Sequence, residues 1–418
     1  MAEVQAFRGI RYRLGQPEEA AAVVAPPYDV ISPADQVALE EKDPRNIIRL
    51  ELSRDEPGGD ASRNRYTRAA ELFRRWLDEG VLAREEAPAL YVYGQRYQFG
   101  DTEQERLGLM AGLKIEPYEA GVVLPHEQTF PKHKEDRFQL LSAAQAQFSP
   151  IFGLYAAPDA SVREHLEAVT GGEPAATAVD PEGVVHRLWA VMDPGFASWA
   201  SKTFAGKQVF IADGHHRYET SMRYKAERRA QEPDAGASPF DYVMTFLVEM
   251  DDPGLVLLPT HRLIPAGLPA PEEIRSRLEP YFAFEESTLA DVDQLAHHQM
   301  GIVLPDGRAW KLTLTDTEAV NRLDQAHSAA WRDLDVVLLH RLVLEQALGL
   351  DEHAEIVYTR DPAEARNRVT SGEFQASFIL PSPRVEELKD VAGAGDKMPH
   401  KSTYFWPKAI SGLVIYEE

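Results

Sequence analysis

The 418-residue chain contains no cysteine. That excludes disulfides, thiolate nucleophiles, iron–sulfur clusters and thiolate zinc sites, and it fits a reducing compartment. Long apolar runs are missing too. No stretch approaches the ~18 residues needed to span a membrane, and the first fifteen, MAEVQAFRGIRYRLG, have no continuous apolar core. The expectation is a cytoplasmic protein with no signal peptide and no membrane span. Positive charge is scarce: 44 Lys plus Arg stand against 67 Asp plus Glu, a net charge of −23. An acidic surface repels phosphate backbones, so nucleic acid is disfavoured as a partner while a local basic site stays open. What is present, 44% hydrophobic and 27% charged residues, is ordinary for globular chains, and the length predicts two or three folding units.

No internal repeat is found. Asp55–Ser62, Gly171–Thr177 and Gln231–Pro239 are rich in Gly, Pro, Ala and small polar residues and read as surface loops. Ala69, Leu72, Phe73, Trp76 and Leu77 follow helical spacing and Gly80 supplies a stop. From Leu90 the texture becomes mixed. Strand-like runs at Leu90–Tyr93, Leu107–Ile115, Pro150–Tyr155, Val185–Met192, Val209–Ile211 and Tyr242–Val248 alternate with helical segments near Asp136–Gln147, Ser161–Val169 and Gly214–Arg229. The last third predicts a wide-faced helix over Trp331–Leu348 capped by Gly349, then strands near Ile356–Thr359 and Phe374–Leu380. The fold class is therefore α+β, or mixed α/β.

The sharpest feature is Val209-Phe-Ile-Ala-Asp-Gly-His-His-Arg-Tyr-Glu219. An apolar strand runs into Asp213-Gly214 and then a helix with Arg217 in its first turn. Free backbone N–H groups and the helix dipole make such a junction an anion site, and Gly214 lets a ligand approach the backbone. Arg217 adds a forked donor, and His215 and His216 add further donors. The plain structural alternative makes Asp213 an N-cap, with Glu219 and Arg223 an i, i+4 surface pair.

A second feature, Leu124-Pro-His-Glu-Gln-Thr-Phe-Pro-Lys-His-Lys-Glu-Asp-Arg137, is expected to be a loop leading into the Asp136–Gln147 helix. His126-Glu127 lacks the second histidine of a zinc protease. A loop glutamate beside His, Lys and Arg suits a base or a magnesium ligand near phosphate, and a solvated charged loop is the alternative. The third feature is Gly395–Lys408, GDKMPHKSTYFWPK. It nearly spells a phosphate-binding Walker loop, but His400 replaces the second glycine and Pro399 removes an N–H, so that reading is rejected. What remains is a basic strip of Lys397, Lys401 and Lys408, suited to a second phosphate or to a decorated edge. Ala25-Pro-Pro-Tyr-Asp29 reads as a rigid structural turn. Pro259-Thr-His-Arg262 places His261 and Arg262 at a strand end, where α/β sites collect.

Taken together, APPYDV, RNIIRLELS, the PHEQTF loop, IADGHHRYETS, LLPTHR and MPHKSTYFWPK make the chain resemble a large bacterial and archaeal family labelled SpoOJ/ParB/RepB-like. The Asp-Gly-x-His-Arg element also resembles the free-serine kinases of the ParB/sulfiredoxin superfamily. That resemblance implies a ParB/sulfiredoxin-like core, here residues 89–270, between an N-terminal α/β region, 1–88, and a C-terminal α/β region, 271–418, with the basic strip. It further implies that Asp213, Gly214, His216 and Arg217 bind the phosphate donor and that Glu127, next to His126, is the base.

The expected function is a phosphotransferase moving a phosphoryl group from pyrophosphate, ADP or ATP to a small hydroxyl compound, with L-serine the best guess. Glu127, His126 and Asp213 would be catalytic. Gly214, His215, His216, Arg217, Lys132, Lys401 and Ser402 would hold the donor, and Thr129, His261 and Arg262 the acceptor. Magnesium would bridge the donor's phosphates with Asp213 as a ligand; no flavin, haem or iron–sulfur cluster is expected. The partners are small molecules, and a homo-oligomer is compatible with the chain. The alternatives are a ParB-like DNA-partitioning or nucleotide-switch protein, for which Arg223–Arg229 is the nearest basic helix, and a non-catalytic phosphometabolite sensor.

Overall fold

The longest strands are those whose apolar runs need cover on both faces. In the computed structural model Leu90–Phe99 and Thr102–Lys114 form a hairpin turned by Gly100-Asp101, with Gly100 at a φ of 59°. The structure describes residues 2–418 except 57, 59, 61, 128, 130, 158–160, 290 and 352, and gives no side-chain placement for 131–133, 161 and 323.

The chain divides into two units. The first comprises Met1–Pro125, Thr129–Leu255 and Pro407–Glu418; the second comprises His126–Gln128 and Val256–Trp406. Residues 1–88 thus fall in the same unit as residues 129–255, and the last twelve residues return to it.

The first unit is built on a nine-stranded sheet. Its strands are β1 (Val4–Gln5), β2 (Leu90–Phe99), β3 (Thr102–Lys114), β4 (Val123–Leu124), β5 (Ile151–Tyr155), β6 (Ala176–Val179), β7 (Val185–Val191), β8 (Val209–Asp213) and β9 (Tyr242–Glu249). The order is β4-β8-β5-β9-β3-β2-β7-β6, with β1 beside β3. Only the β8–β4 and β9–β5 pairs are parallel. The main helices are α1 (Arg65–Asp78), α2 (Pro131–Ala144), α3 (Ser161–Thr170), α4 (Pro194–Phe204) and α5 (His215–Gln231). Helix α1 buries Ala69, Ala70, Phe73 and Trp76 as its spacing predicts, and Asn64 caps it by accepting from the Tyr66 and Thr67 N–H groups.

Helix α2 differs from expectation. It begins at Pro131 rather than near Asp136 and stops at Ala144. Proline is tolerated at a helix start, where its missing N–H would have no partner. Ala146–Gln147 instead pairs with Tyr416–Glu417, so a strand ends the helical run.

The second unit holds a six-stranded sheet ordered β12-β14-β13-β16-β11-β15 and a two-stranded ladder, β10-β17. These strands are β10 (Val256–Leu258), β11 (His261–Ile264), β12 (Phe282–Ser287), β13 (Gln299–Val303), β14 (Ala309–Leu314), β15 (Val357–Thr359), β16 (Ala376–Ile379) and β17 (Tyr404–Trp406). Its helices include α6 (Pro271–Leu278), α7 (Pro362–Thr370) and α8 (Val385–Gly393). The single helix expected over Trp331–Leu348 is replaced by short turns at Ala329–Arg332 and Asp335–Val337 and a π-helical stretch, Leu338–Ala347. Leu334 is extended (ψ 132°), which breaks the run, and the wider turn buries Leu338, Leu339, Leu342, Val343 and Leu344 together. Gly349 does end it, at φ 73°, with the Leu350 N–H donating to the Leu344 carbonyl.

Candidate functional site

The strand–turn–helix reading of Val209–Glu219 holds. Register slips between Ile211 and Asp213, a bulge that turns Asp213 at the end of β8. Gly214 follows at φ 92°, a left-handed conformation that glycine adopts without strain, and no side chain caps α5. A Cβ at this position would sit 3.0 Å from Arg217 Nε, so the glycine also makes room for the arginine to fold back.

Asp213 is not an N-cap. Its carboxylate accepts from Arg217 Nη2 at 2.5 Å and from Lys408 Nζ. All three side chains are nearly buried, and Arg217 Nη1 donates to the Pro150 carbonyl. Burial alone would push the Asp213 carboxyl up, but the Lys408 ammonium and the Arg217 guanidinium outweigh it and hold it below the usual carboxylate range. Asp213 is shared by two cations beside the positive end of a helix dipole, and the Asp29 and Glu51 carboxylates also act on Arg217. Arg217 Nε is buried and has no hydrogen-bond partner among the described residues. His215 is buried and His216 half-buried in the same first turn.

A pocket opens beside Arg217, lined also by Arg137, Glu51, Ser149 and Thr220. Arg137 Nη1 donates to the Glu51 carbonyl at 2.9 Å and lies 3.3 Å from its carboxylate, and Ser149 Oγ donates to that carboxylate at 3.1 Å. The Arg137 guanidinium stacks 4.1 Å over the Tyr28 ring. Glu51 and Tyr28 are members of this constellation that sequence reasoning did not assign, and Lys408, read there as part of a basic strip, joins it through Asp213. The signals were on the page, in RNIIRLELS, APPYDV and the basic strip, but nothing local said that they meet.

Thr129 belongs to the first unit. Its hydroxyl donates to Glu219 Oε2 at 2.7 Å, and Lys134 Nζ donates to the same oxygen at 2.9 Å. Glu219 is therefore not paired with Arg223, which instead binds Glu135 and Glu227. Arg228 pairs with Glu232 and Arg229 with Asp241. The nearest candidate for a DNA-reading helix thus has these arginines matched by carboxylates. The Lys132 side chain lies outside the described residues.

The remaining predicted residues fall in the second unit. His126 is fully buried; its Nε2 lies 2.9 Å from Thr403 Oγ1, and its carbonyl accepts from the Met398 N–H at 2.7 Å. Two of the three sequence features, the PHE loop and the MPHKST strip, therefore meet directly. Glu127 follows in the same loop, half-buried. Lys401 is exposed at φ 59°, and Ser402 turns its hydroxyl 2.5 Å onto the Pro399 carbonyl. The Ser402 hydroxyl thus closes its own turn rather than presenting itself to a donor. Arg262, 1% exposed, donates to the carbonyls of Thr260 and Lys401 and, at 3.2 Å, to His340 Nε2. His261 is 2% exposed, and its Nδ1 accepts from the Leu380 N–H at 3.2 Å. Burial, helped by the Arg262 charge, pushes the His261 imidazole down to about 4. His261 and Arg262 act as framing residues for the six-stranded sheet.

The magnesium expected at Asp213 does not fit the residues present. Both carboxylate oxygens already take a cation, and a dication there would face Lys408 and Arg217 at contact distance.

A mixed α/β fold with a basic, glycine-hinged strand–helix junction defines the class. The sequence matches the family described as "Protein of unknown function (DUF1015)" over residues 4–337, and the chain belongs to that family. No curated protein matches it. Similar solved structures include a conserved hypothetical protein from Pyrococcus furiosus (13% identity, TM-score 0.34, covering 73% of this chain and 94% of that one). Others are a free serine kinase in complex with AMP (13%, TM-score 0.33, 71% and 86%) and C-terminally truncated SbnI from Staphylococcus aureus (12%, TM-score 0.36, 72% and 84%). Likenesses this remote carry no argument about chemistry.

Proposed function

We propose that the chain is a small-molecule phosphotransferase whose phosphate donor binds at the β8–α5 junction. The observation that carries this reading is the Asp213–Arg217–Lys408 cluster at an uncapped helix start, one carboxylate shared by two cations, with a buried Arg217 Nε–H that has no acceptor among the described residues. The donor's terminal phosphate would take the first N–H groups of α5, with Arg217 and Lys408 balancing its charge. Asp213 orients these two cations and holds no metal.

The base in this reading is Glu127, the loop glutamate beside His126. The acceptor hydroxyl oxygen attacks the terminal phosphorus, the hydroxyl proton passes to the Glu127 carboxylate, and the P–O bond to the leaving phosphate breaks. Free L-serine is the proposed acceptor, giving O-phosphoserine, with pyrophosphate, ADP or ATP as donor.

The test incubates the protein with L-serine and each donor in turn and assays O-phosphoserine. Product with one donor, lost on Glu127→Gln, is expected; no product with any donor sinks the serine kinase reading. A second reading, a phosphometabolite sensor, is favoured by the complete pairing of Asp213, which leaves that carboxylate no proton-transfer role. Donor binding without turnover selects it.

A further inference from the structure

The second unit holds a cluster that the proposed function does not use. His297 Nδ1 lies 3.1 Å from Asp335 Oδ2 and 3.6 Å from Glu387 Oε1. The three ligand atoms lie within 4.8 Å of one another. A tetrahedral ion with bonds of about 2.1 Å spaces its ligands by about 3.4 Å, close to these separations.

The surroundings have the arrangement that metal-binding histidines require. Asp335 is anchored through its other oxygen, Oδ1, which accepts from the His298 N–H at 2.8 Å and leaves Oδ2 for a ligand bond. On the far side of the His297 ring, Nε2 meets Asp333 Oδ2 at 3.2 Å. A carboxylate on one imidazole nitrogen fixes the ring and its tautomer for a metal on the other. Asp333 also takes His298 Nε2 at 2.9 Å, and His298 sits at φ 63°, a strained conformation held by these contacts. Three carboxylates, Asp333, Asp335 and Glu387, face one permanent cation, Arg384, whose Nε donates to Glu387 Oε1 at 2.8 Å.

A second observation is independent of the cluster. His297, Asp335 and Glu387 line an open-mouthed cavity of roughly 520 Å³, and His261 lines it too. Since His261 Nδ1 accepts a backbone hydrogen bond, its neutral ring carries the proton on Nε2, and this buried N–H has no acceptor among the described residues. Ligand atoms at metal spacing on the wall of an open cavity suit an ion whose remaining positions take oxygen ligands.

We propose that His297, Asp335 and Glu387 bind a first-row divalent cation, such as zinc or manganese, whose remaining positions face the cavity and take water or the oxygen of a small anion. One imidazole with two carboxylates suits such an ion better than calcium, which prefers an all-oxygen set. The cation would displace Arg384 from Glu387 Oε1.

The test titrates the chelator-treated full chain with zinc, manganese and magnesium by calorimetry, and with cobalt by visible absorption. Expected are one zinc or manganese ion per chain and binding at least tenfold weaker in His297→Gln and Glu387→Gln. Cobalt bands should be lost in both variants while the far-ultraviolet dichroism stays native. Asp306→Asn, in an exposed ion pair elsewhere on the unit, should bind as the wild type does. No binding below millimolar zinc or manganese overturns the proposal. So does unchanged affinity in either ligand variant. Should His297→Gln fail to fold, Glu387→Gln decides alone.

Discussion

Arg217 in the first unit, nearly buried, and Arg262 in the second, fully buried, solve the same problem in opposite ways. Arg217 is answered by the Asp213 carboxylate, which it shares with Lys408. Arg262 is answered by neutral groups: two carbonyls, the His340 imidazole and the Tyr358 ring 5.5 Å away. Burial lowers the basicity of both, but Asp213 reverses the effect at Arg217, while Arg262 is pushed down to about 10. The difference separates a charge that is balanced and available to an incoming anion from one spent on bracing backbone. The first kind marks a site; the second marks a frame.

Removing the shared carboxylate should have the largest effect. Asp213→Asn leaves Arg217 and Lys408 buried without their anion, at a cost of about 3–5 kcal/mol in urea unfolding. Arg262→Met removes a buried charge together with its donors, so the loss should be smaller, about 1–3 kcal/mol, from the carbonyls left unanswered. Equal losses would erase the distinction between the two arginines.

The pH dependence should also differ. His340 is pushed down to about 3 by burial and by Arg262, and His261 to about 4. A base whose folded value lies below its unfolded value of 6.5 contributes stability that is complete above pH 6.5. That stability is lost as pH falls through this value, by up to about 1.4 kcal/mol per pH unit for each group. Urea midpoints should therefore fall between pH 6.5 and 4, and His340→Leu should flatten the slope. The Asp213 pair behaves otherwise. A carboxyl held below 3.8 keeps its contribution above that pH and loses it only as pH falls through the lowered folded value.

Gly214→Ala should cost about 1–2 kcal/mol, because φ is 92° and the new Cβ crowds Arg217. The smallest effect is expected at Arg223→Ala. This exposed arginine in two surface pairs should change stability by less than about 0.5 kcal/mol.

Local pattern was readable where one element decides its own fate. The helix at Arg65–Asp78, the β8–α5 junction and the Gly349 stop follow from spacing and from glycine chemistry within a few residues. What could not be read is what depends on return of the chain. Lys408 meets Asp213 across 195 positions, and Arg137 meets Glu51 across 86. No periodicity carries such pairings, so Lys408 could be seen as basic but not as Asp213's partner. The Leu334 break was hidden for another reason: Trp331, Leu334 and Leu338 keep helical i, i+3, i+7 spacing across Asp333 and Asp335, so the pattern reads as one unbroken helix.

Calorimetric titration of pyrophosphate, ADP and ATP into the wild type, Arg217→Met and Lys408→Met tests the central claim most directly. The account predicts that at least one donor binds the wild type and binds each variant at least tenfold more weakly, with native dichroism retained. A donor that binds all three proteins equally would contradict a phosphate site at the β8–α5 junction.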